Sequence, residues 1–524
     1  MGHRIRGFLR APTAKELIDV GAAEHLHLTD DESAAYSEIL AGVLTQLDRL
    51  DDLVATQPGS RYLLRDPGRR PQPDEDPFNA FTRFCRVAGA ADGPLSGLRA
   101  AVKDNLAVAG VPITNASRTS AYVPVTDAVV VERLLDAGAT IVGKLNMDDF
   151  ATSGTGESSW FGPPRNPVDP TRSAGGSSGG SGSAVASGTV DISIGVDEGG
   201  SARIPASFCG VVSLKATHGL IPSHGLTYMD HTIDSVCPTA ATVDLVARVT
   251  DVVAGHDDRD PQWVRAMPAP TSCAEAVGQG VAGLKIGVVD QGVDENLCEA
   301  DVLERFRDGL DVLRDAGADV VPVSIPLWAD AWPIELAMLF HLSWAKAQSE
   351  GMGFGHLGEI DVARAHAFAL SRRLEADEFP PFMKVWLLAG RWLHDHYFST
   401  YFGKAQNLRR ALRDEISTAL TTCDLLVTPT TPHTAPALLD RPGTDAELLA
   451  RGTTMSGNTA PLNLSGHPAL AVPCGVDSAG LPVSMQIIAA HFADAMCFRA
   501  GSVVTSGSAS VRSPPDRVTS SVHS

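Results

Sequence analysis

The sequence predicts an α/β fold in which helices cover both faces of a large mixed β-sheet. From about residue 95 onward, short runs rich in β-branched residues alternate with segments of helical pattern. Such alternation is typical of a largely parallel or mixed sheet with helices on its two faces. The length of 524 residues allows a large core, and 44% hydrophobic with 20% charged residues is ordinary for a soluble enzyme.

The elements follow one another along the chain. Residues 30–55 carry apolar residues at helical spacing behind acidic residues that suit a helix N-terminus. The polar, proline-rich residues 65–79 indicate an extended connector. Downstream runs predict strands, namely LRAAVKD, TIVGK, VDISIGVD, LKIGVV, DVVPVSI, DLLVTPT and PALAVPCG. Two segments between them, DAVVVERLLDAGA and ADVLERFRDGLDVLRDAGA, predict helices.

Residues 327–420 differ from the rest because they are long, helix-patterned and rich in tryptophan. They hold five of the seven tryptophans, which are Trp328, Trp332, Trp344, Trp386 and Trp392. We expect core aromatics of a helical layer. The alternative is an aromatic lid over an active site, since aromatic side chains line ligand pockets.

Composition bears on partners and compartment. The net charge of −20 argues against nucleic-acid binding, because phosphate contacts need clustered Lys and Arg. No run of apolar residues is long enough to span a membrane, and the N-terminus lacks the apolar core of a secretory signal. The eight scattered cysteines contain no CxxC pair, which indicates buried thiols in a reducing compartment. We therefore expect a cytoplasmic protein.

A Gly/Ser-rich patch at 175–188, GGSSGGSGSAVASG, resembles a flexible spacer. It leads directly into the apolar run VDISIGV, however, which places it within the core rather than between domains. Residues 176–180 match GxSxG but lack the preceding strand of a nucleophile elbow. A P-loop motif is absent from the sequence. These considerations favour a third interpretation, in which the patch belongs to an active site.

Ser201 is the candidate nucleophile of that site. Amide hydrolysis needs an activated nucleophile, a proton shuttle and donors aimed at the oxyanion. Gly199 and Gly200 allow a tight turn in which successive N–H groups converge, so the amides of Glu198, Gly199, Gly200 and Ser201 are candidates for an oxyanion hole.

The proton must leave Ser201 through other residues. Ser177, in the Gly/Ser patch, is a candidate relay, and Lys103, in an apolar stretch, is a candidate base if burial keeps it neutral. Considered by itself, the segment around Lys103 favours an ion pair between Lys103 and a nearby carboxylate such as Asp104.

Three segments together resemble the amidase signature family: VKDN around Lys103, GGSSGGS around Ser177, and DEGGSARIPASFCGVVSLK around Ser201. The interval between the two serines also matches the family. Further similar pieces extend the resemblance over about residues 75–500, namely GATIVGKLNMDDFA, FGPPRNPVDP, CDLLVTPTTP and NLSGHPALAVPCG. The chain is most similar to stand-alone bacterial enantioselective amidases associated with nitrile metabolism.

The resemblance implies the amidase signature fold and an organisation along the chain. We expect an N-terminal helical segment and linker over residues 1–75 and a catalytic domain over 76–500, with 327–420 as a helical insertion or lid. Residues 501–524 are serine-rich without apolar periodicity, so we expect a disordered tail in place of the family's closing helix.

The resemblance also implies a Ser–cisSer–Lys triad. Ser201 attacks the amide carbonyl, Ser177 takes its proton and passes it to neutral Lys103, and water then hydrolyses the acyl-enzyme. Ala151 and Thr152 correspond to substrate-facing positions. Asp197 and Arg203 flank the nucleophile and are expected to pair and brace the turn. No metal ion or organic cofactor is implied.

The expected function is hydrolysis of a linear carboxylic acid amide to the acid and ammonia or an amine. The expected partners are a small-molecule amide and a second copy in a homodimer, with no nucleic acid and no membrane. Two alternatives stay open. One is an amide-forming or acyl-transfer enzyme, in which an amine intercepts the same acyl-enzyme, and the other is the ammonia-generating subunit of a transamidation complex.

Position 198 departs from the family, where this residue is usually uncharged. A carboxylate beside a developing oxyanion is unfavourable, so the Glu198 side chain must point away, be protonated or meet a cation. One hypothesis is that Glu198 recognises a basic substrate or an amine leaving group. The alternative is a solvated side chain or one paired with an arginine.

Overall fold

The computed structural model describes residues 10–47, 50, 53, 59–260, 262, 268, 271–353, 358–439, 445–452 and 455–507. The chain forms two units that divide after Gly59. Most of residues 48–58 lie outside the described ranges. The helix predicted over 30–55 can therefore be compared with the structure mainly up to residue 47. In the described ranges, no helix has the length and apolar content that crossing a bilayer requires.

The N-terminal unit contains helices α1 (Ala14–Ala23) and α2 (Asp30–Leu47). The start of α1 is fixed by a capping box, in which the Thr13 hydroxyl accepts from the Glu16 N–H while the Glu16 carboxylate accepts from the Thr13 N–H. Thr29 and Glu32 repeat this arrangement before α2. The predicted helical start at residue 30 is therefore confirmed.

In the second unit, the described residues form one mixed sheet of twelve strands. The strands are β1 (Arg65–Arg69), β2 (Phe81–Ala88), β3 (Arg99–Lys103), β4 (Thr140–Leu145), β5 (Ile192–Asp197), β6 (Val212–Lys215), β7 (Ser235–Ala240), β8 (Lys285–Val289), β9 (Asp319–Val323), β10 (Leu425–Pro429), β11 (Ala469–Val476) and β12 (Pro482–Ile488). Their spatial order is β1-β2-β4-β3-β5-β7-β6-β11-β12-β10-β8-β9. Strand β3 is parallel to β4 and β5, β8 is parallel to β9 and β10, and the other neighbours are antiparallel.

All the predicted strands are present, as β3, β4, β5, β8, β9, β10 and β11. The connector predicted over 65–79 is partly wrong, because residues 65–69 form the edge strand β1. A register shift between Asp66 and Arg69 accommodates the Pro67–Gly68 dipeptide. An edge strand tolerates proline, since one side of its backbone needs no ladder hydrogen bonds.

Helices cover both faces of the sheet. The helices of this unit are α3 (Val129–Asp136), α4 (Gly179–Ala186), α5 (Arg203–Cys209), α6 (Val243–Val253), α7 (Cys273–Ala276), α8 (Ala300–Asp315), α9 (Ala331–Gln348), α10 (Val362–Leu374), α11 (Pro381–Tyr397), α12 (Thr400–Ala419), α13 (Asp445–Gly452), α14 (Ala460–Ser465) and α15 (Asp494–Gly507). Helices α3, α6, α8 and α15 share the larger core on one face. Helices α4 and α5 share a smaller core on the opposite face. Helices α9 to α12 confirm the helical character predicted for 327–420.

The C-terminal prediction of disorder from residue 501 is wrong for residues 501–507, which belong to helix α15. Cys497, Phe498, Gly501 and Val504 are buried on one side of this helix. A Cβ at position 501 would lie 2.7 Å from Leu470 Cδ2, so a glycine is needed where the helix meets the sheet. From residue 500 onward the buried positions are Ala500, Gly501 and Val504, and these short side chains hid the apolar periodicity. Residues 508–524 lie outside the described residues.

Candidate active site

Strand β3 carries Lys103 to the face of the sheet that α4 and α5 cover. Along this strand, Ala100 and Val102 pack into the larger core, and Ala101 packs into the core beneath α4 and α5. Side chains alternate across a sheet, so Lys103 lies on the same side as Ala101. There its Nζ donates to Ser177 Oγ at 2.7 Å and approaches the Val196 carbonyl oxygen at 3.4 Å.

The environment of Lys103 favours the neutral amine. The side chain is completely buried, and this burial lowers its pKa below the ordinary 10.5, although the nearby carboxylates, led by Glu198 and Asp148, act in the opposite direction. Asp104 does not pair with Lys103. Its Oδ1 lies 3.3 Å from Nζ of Lys144, the buried lysine of the neighbouring strand β4. The ion pair between Lys103 and Asp104 that the segment by itself favours is therefore wrong.

Ser177 follows a cis peptide bond from Gly176, as the resemblance implies, and is completely buried. Asp148, which the sequence did not single out, holds this segment. Its N–H donates to the Ser177 carbonyl oxygen at 3.0 Å, while its carboxylate accepts from the N–H groups of Gly156 and Ser158 at 2.8 and 3.0 Å. A Cβ at position 176 would lie 1.9 Å from Asp148 Oδ2, so only glycine fits there.

The turn that carries Ser201 is braced by a buried ion pair. Arg203 donates from Nε and Nη2 to the two carboxylate oxygens of Asp197 at 2.9 and 2.8 Å, and neither side chain is exposed. Burial favours the neutral carboxyl, but the Arg203 charge and the hydrogen bonds outweigh it and hold the pKa of Asp197 well below its usual range. The expected pairing is confirmed. The Ser201 carbonyl oxygen accepts from the Ser178 N–H at 2.9 Å, which joins the segments of the two serines.

The expected oxyanion donors behave differently from one another. The Gly200 N–H donates to Asp197 Oδ1 at 2.9 Å, so in this structure it is occupied and does not serve as the sequence predicted. Gly200 is needed for a different reason, since its φ is +124° and a Cβ there would lie 2.2 Å from Thr459 Oγ1. The N–H groups of Gly199 and Ser201 meet no acceptor among the described residues.

A cavity of about 200 Å³ opens in front of Ser201. Ala151 and Thr152 lie in its lining, together with Glu198 and Gly199. The opposite wall comes from the helical insertion, whose aromatic lining residues are Trp332, Phe340, Phe382 and Trp386. The expectation of core aromatics holds for Trp328, which is buried in the helical core, but not for Trp392, which is exposed. Trp332 and Trp386 line the cavity, and a lid role for them stays a prediction.

Two buried carboxyl groups also line this cavity. Glu198 is 6% exposed and Glu335, from α9, is 1% exposed. Neither carboxylate oxygen of Glu198 has a hydrogen-bond partner among the described residues, and the same holds for Oε2 of Glu335. The solvated or arginine-paired state considered for Glu198 is therefore wrong. Glu335 was missed, although an acidic residue within the apolar run AWPIELAMLF was a signal that could have indicated it.

The fold and the site define the class of this protein. The profile of a family described as Amidase matches residues 83–498, and the chain belongs to that family. The expected family and fold are thereby confirmed.

Among its relatives, a protein of Halobacterium salinarum named as a subunit of glutamyl-tRNA(Gln) amidotransferase is 38% identical over 437 residues, which are 82% of this chain and 99% of the relative. The crystal structure of the corresponding amidotransferase component from Thermotoga maritima has a TM-score of 0.68 and 32% identity, covering 83% of this chain and 89% of the other. The native peptide amidase of Stenotrophomonas maltophilia has a TM-score of 0.67 and 28% identity, covering 81% and 85%.

These relatives correct the expected partners. The sequence led us to expect a homodimer with a small-molecule amide as its only partner and no nucleic acid. That expectation is contradicted, because the relatives are named as one component of an amidotransferase for glutamyl-tRNA(Gln). Their names favour the transamidation alternative over a stand-alone amidase.

Proposed function

We propose that this protein releases ammonia from a carboxamide through an acyl-enzyme on Ser201. The observation that carries the proposal is the hydrogen bond of 2.7 Å between Lys103 Nζ and Ser177 Oγ, formed by two completely buried side chains next to the Ser201 segment. A neutral amine that is bonded to a hydroxyl can accept its proton, which is what a serine relay requires.

The reaction begins with two coupled proton transfers. Ser201 Oγ bonds to the amide carbon while its proton moves to Ser177 and the Ser177 proton moves to neutral Lys103. The carbonyl oxygen becomes an oxyanion, which the N–H groups of Gly199 and Ser201 stabilise. When the C–N bond breaks, the proton returns from Lys103 through Ser177 to the nitrogen, and ammonia leaves. Water then attacks the ester by the same relay and frees the acid.

The names of the relatives support one use of this chemistry. In a transamidation complex the chain is the component that generates ammonia, and a second active site consumes the ammonia that Ser201 releases. The peptide amidase supports the other use, in which the acid and ammonia are the final products. Acyl transfer to an amine uses the same acyl-enzyme and differs only in what attacks the ester.

The test is ammonia release from glutamine and from a panel of other carboxamides, with the Ser201→Ala variant as the control. Release from wild type alone supports the proposal, and release that persists in Ser201→Ala contradicts it. Turnover of glutamine favours the transamidation role, whereas turnover of other amides without glutamine favours an amidase that acts independently. Added hydroxylamine reports acyl transfer, because it converts the acyl-enzyme to a hydroxamate.

A further inference from the structure

We propose that the cavity in front of Ser201 accepts carboxamides that carry an ammonium group close to the scissile carbonyl, and that Glu198 and Glu335 bind this ammonium. The inference depends on the proposed amide hydrolysis and adds its substrate class. The sequence suggested that Glu198 recognises a basic substrate, and the structure adds Glu335 to the same cavity.

Two buried carboxyl groups line the cavity, and most of their oxygens have no hydrogen-bond partner among the described residues. Glu198 and Glu335 are 6% and 1% exposed, and three of their four carboxylate oxygens have no hydrogen-bond partner among the described residues. The two carboxyl groups are not bonded to each other, since both oxygens of Glu198 are unpartnered. Buried polar groups are almost always satisfied in folded proteins, so these oxygens are available to accept from the donors of a ligand.

The charge of the cavity lining also favours a cationic ligand. The described residues that line the cavity include these two carboxyl groups and no lysine or arginine. Of the two basic side chains buried nearby, Lys103 is bonded to Ser177 as the proposed neutral base, and Arg203 is paired with Asp197. Burial raises the pKa of Glu198, and burial followed by the Glu198 carboxylate raises the pKa of Glu335 well above its usual range. A bound cation stabilises the ionised carboxylates that burial disfavours, and it matches the site in sign.

The position of Glu198 in the chain places the ammonium close to the reacting bond. Glu198 precedes Ser201 by three positions in the same turn, and both residues line the cavity. An ammonium bound by Glu198 is therefore only a few atoms from the carbonyl that Ser201 attacks. An α-amino group meets this requirement.

The other walls of the cavity favour a substrate with an apolar side chain. Trp332, Phe340, Phe382 and Trp386 surround the cavity, together with leucines of the insertion. Aromatic faces also attract cations, which adds to the carboxylates. Apolar α-amino-acid amides combine the ammonium, the nearby carboxamide and the apolar side chain. The α-carboxylate of glutamine, by contrast, meets no cation among the described lining residues.

The experiment compares L-phenylalaninamide with 3-phenylpropanamide, which differ by the amino group. Both are assayed for ammonia release at about pH 7, where an α-amino group is mostly protonated. We expect wild type to prefer phenylalaninamide. The ratio of the two kcat/KM values should fall about 10- to 100-fold in Glu335→Gln and in Glu198→Gln, as one hydrogen bond to a charged group predicts. The exposed control Glu304→Gln, on α8, should keep the wild-type ratio.

A wild-type preference for the neutral amide, or an unchanged ratio in both glutamine variants, overturns the inference while leaving amide hydrolysis intact. Should one glutamine variant fail to fold, the other carries the same comparison. Calorimetric binding of phenylalaninamide to Ser201→Ala separates the two proposals. Phenylalaninamide should bind to Ser201→Ala, and adding Glu335→Gln to this variant should abolish the binding. This result supports the ammonium site even if wild type releases no ammonia from any amide. Absence of binding to Ser201→Ala contradicts the site.

Discussion

Nζ of Lys103 lies 2.7 Å from Oγ of Ser177, and both side chains are completely buried between the sheet and helix α4. Two strongly polar groups in such a place are costly unless they satisfy each other. The hydrogen bond satisfies both groups, and the proposed proton relay gives the pair a function.

Replacing Lys103 by methionine should abolish the relay while preserving the volume of the side chain. We expect kcat for ammonia release to fall about 10²- to 10⁴-fold, the contribution of general acid–base catalysis, with the thermal unfolding midpoint maintained. Lys144→Met is the matched control, because Lys144 is also completely buried but faces Asp104. That variant should lose about 3–5 kcal/mol of unfolding free energy instead, since it leaves a buried carboxylate unpaired. Full activity of Lys103→Met contradicts its role as the base.

Activity should depend on pH through Lys103. The base works only when neutral, so kcat/KM for a neutral amide should rise as the pH increases through the lowered pKa of Lys103. The carboxylates of Glu198, Asp148, Asp234 and Asp197 all raise this pKa, and Glu198 has the largest effect among them. Glu198→Gln removes one negative charge, so the rising limb of the profile should move to lower pH. A limb that moves to higher pH, or does not move, contradicts this account of the charges around Lys103.

Gly176→Ala should damage the protein through a collision with Asp148. The added methyl would lie 1.9 Å from Asp148 Oδ2, so either the carboxylate or the segment of Ser177 must move. Overpacking of this kind costs about 1–3 kcal/mol, and displacement of Ser177 should lower kcat as well. Gly403→Ala is the control, because a Cβ at Gly403 in helix α12 meets nothing within 4 Å. It should leave stability equal or raise it by up to about 1 kcal/mol, measured by urea unfolding.

Asp197→Asn should destabilise the turn that carries Ser201. The substitution removes the charge that Arg203 pairs with inside the protein, and breaking a buried pair costs about 3–5 kcal/mol. Activity should fall with it, because Asp197 also accepts from the Gly200 N–H. The exposed pair of Arg314 and Asp311 provides the comparison, and Asp311→Asn should change the urea midpoint little. Equal effects of the two substitutions would show that the buried pair does not brace the turn.

The sequence predicted the strands whose residues are continuously apolar or alternate regularly. It missed β1, β2, β6, β7 and β12. In β6, β7 and β12, polar residues interrupt the pattern inside the sheet. Those polar residues satisfy one another across strands, as Ser213 and Thr239 do at 2.8 Å and Gln486 and Thr428 do at 3.1 Å. Such pairs are visible only once the strand order is known, since the partners lie far apart in the chain.

The candidate site likewise contains residues that the sequence identified and residues that it missed. Lys103, Ser177 and Ser201 lie in three local motifs, so the sequence could nominate them. Asp148 lies in the segment GATIVGKLNMDDFA, which carries part of the resemblance but by itself indicated no role for this residue, and Glu335 lies in none of the quoted segments. Their positions beside Ser177 and Glu198 come from the packing of distant segments. Strand β3, which ends at Lys103, and strand β5, which ends at Asp197, are neighbours in the sheet. This pairing belongs to the tertiary structure and cannot be predicted from the spacing of the motifs.

The central claim, an acyl-enzyme on Ser201, is tested most directly by acid quench during turnover of a carboxamide, followed by peptide mass spectrometry. We predict a mass increase equal to the acyl group on the peptide that contains Ser201, with no such increase in the Ser201→Ala variant. Two results would contradict the account. One is ammonia release by Ser201→Ala at the wild-type rate without any adduct, and the other is an adduct on a residue other than Ser201.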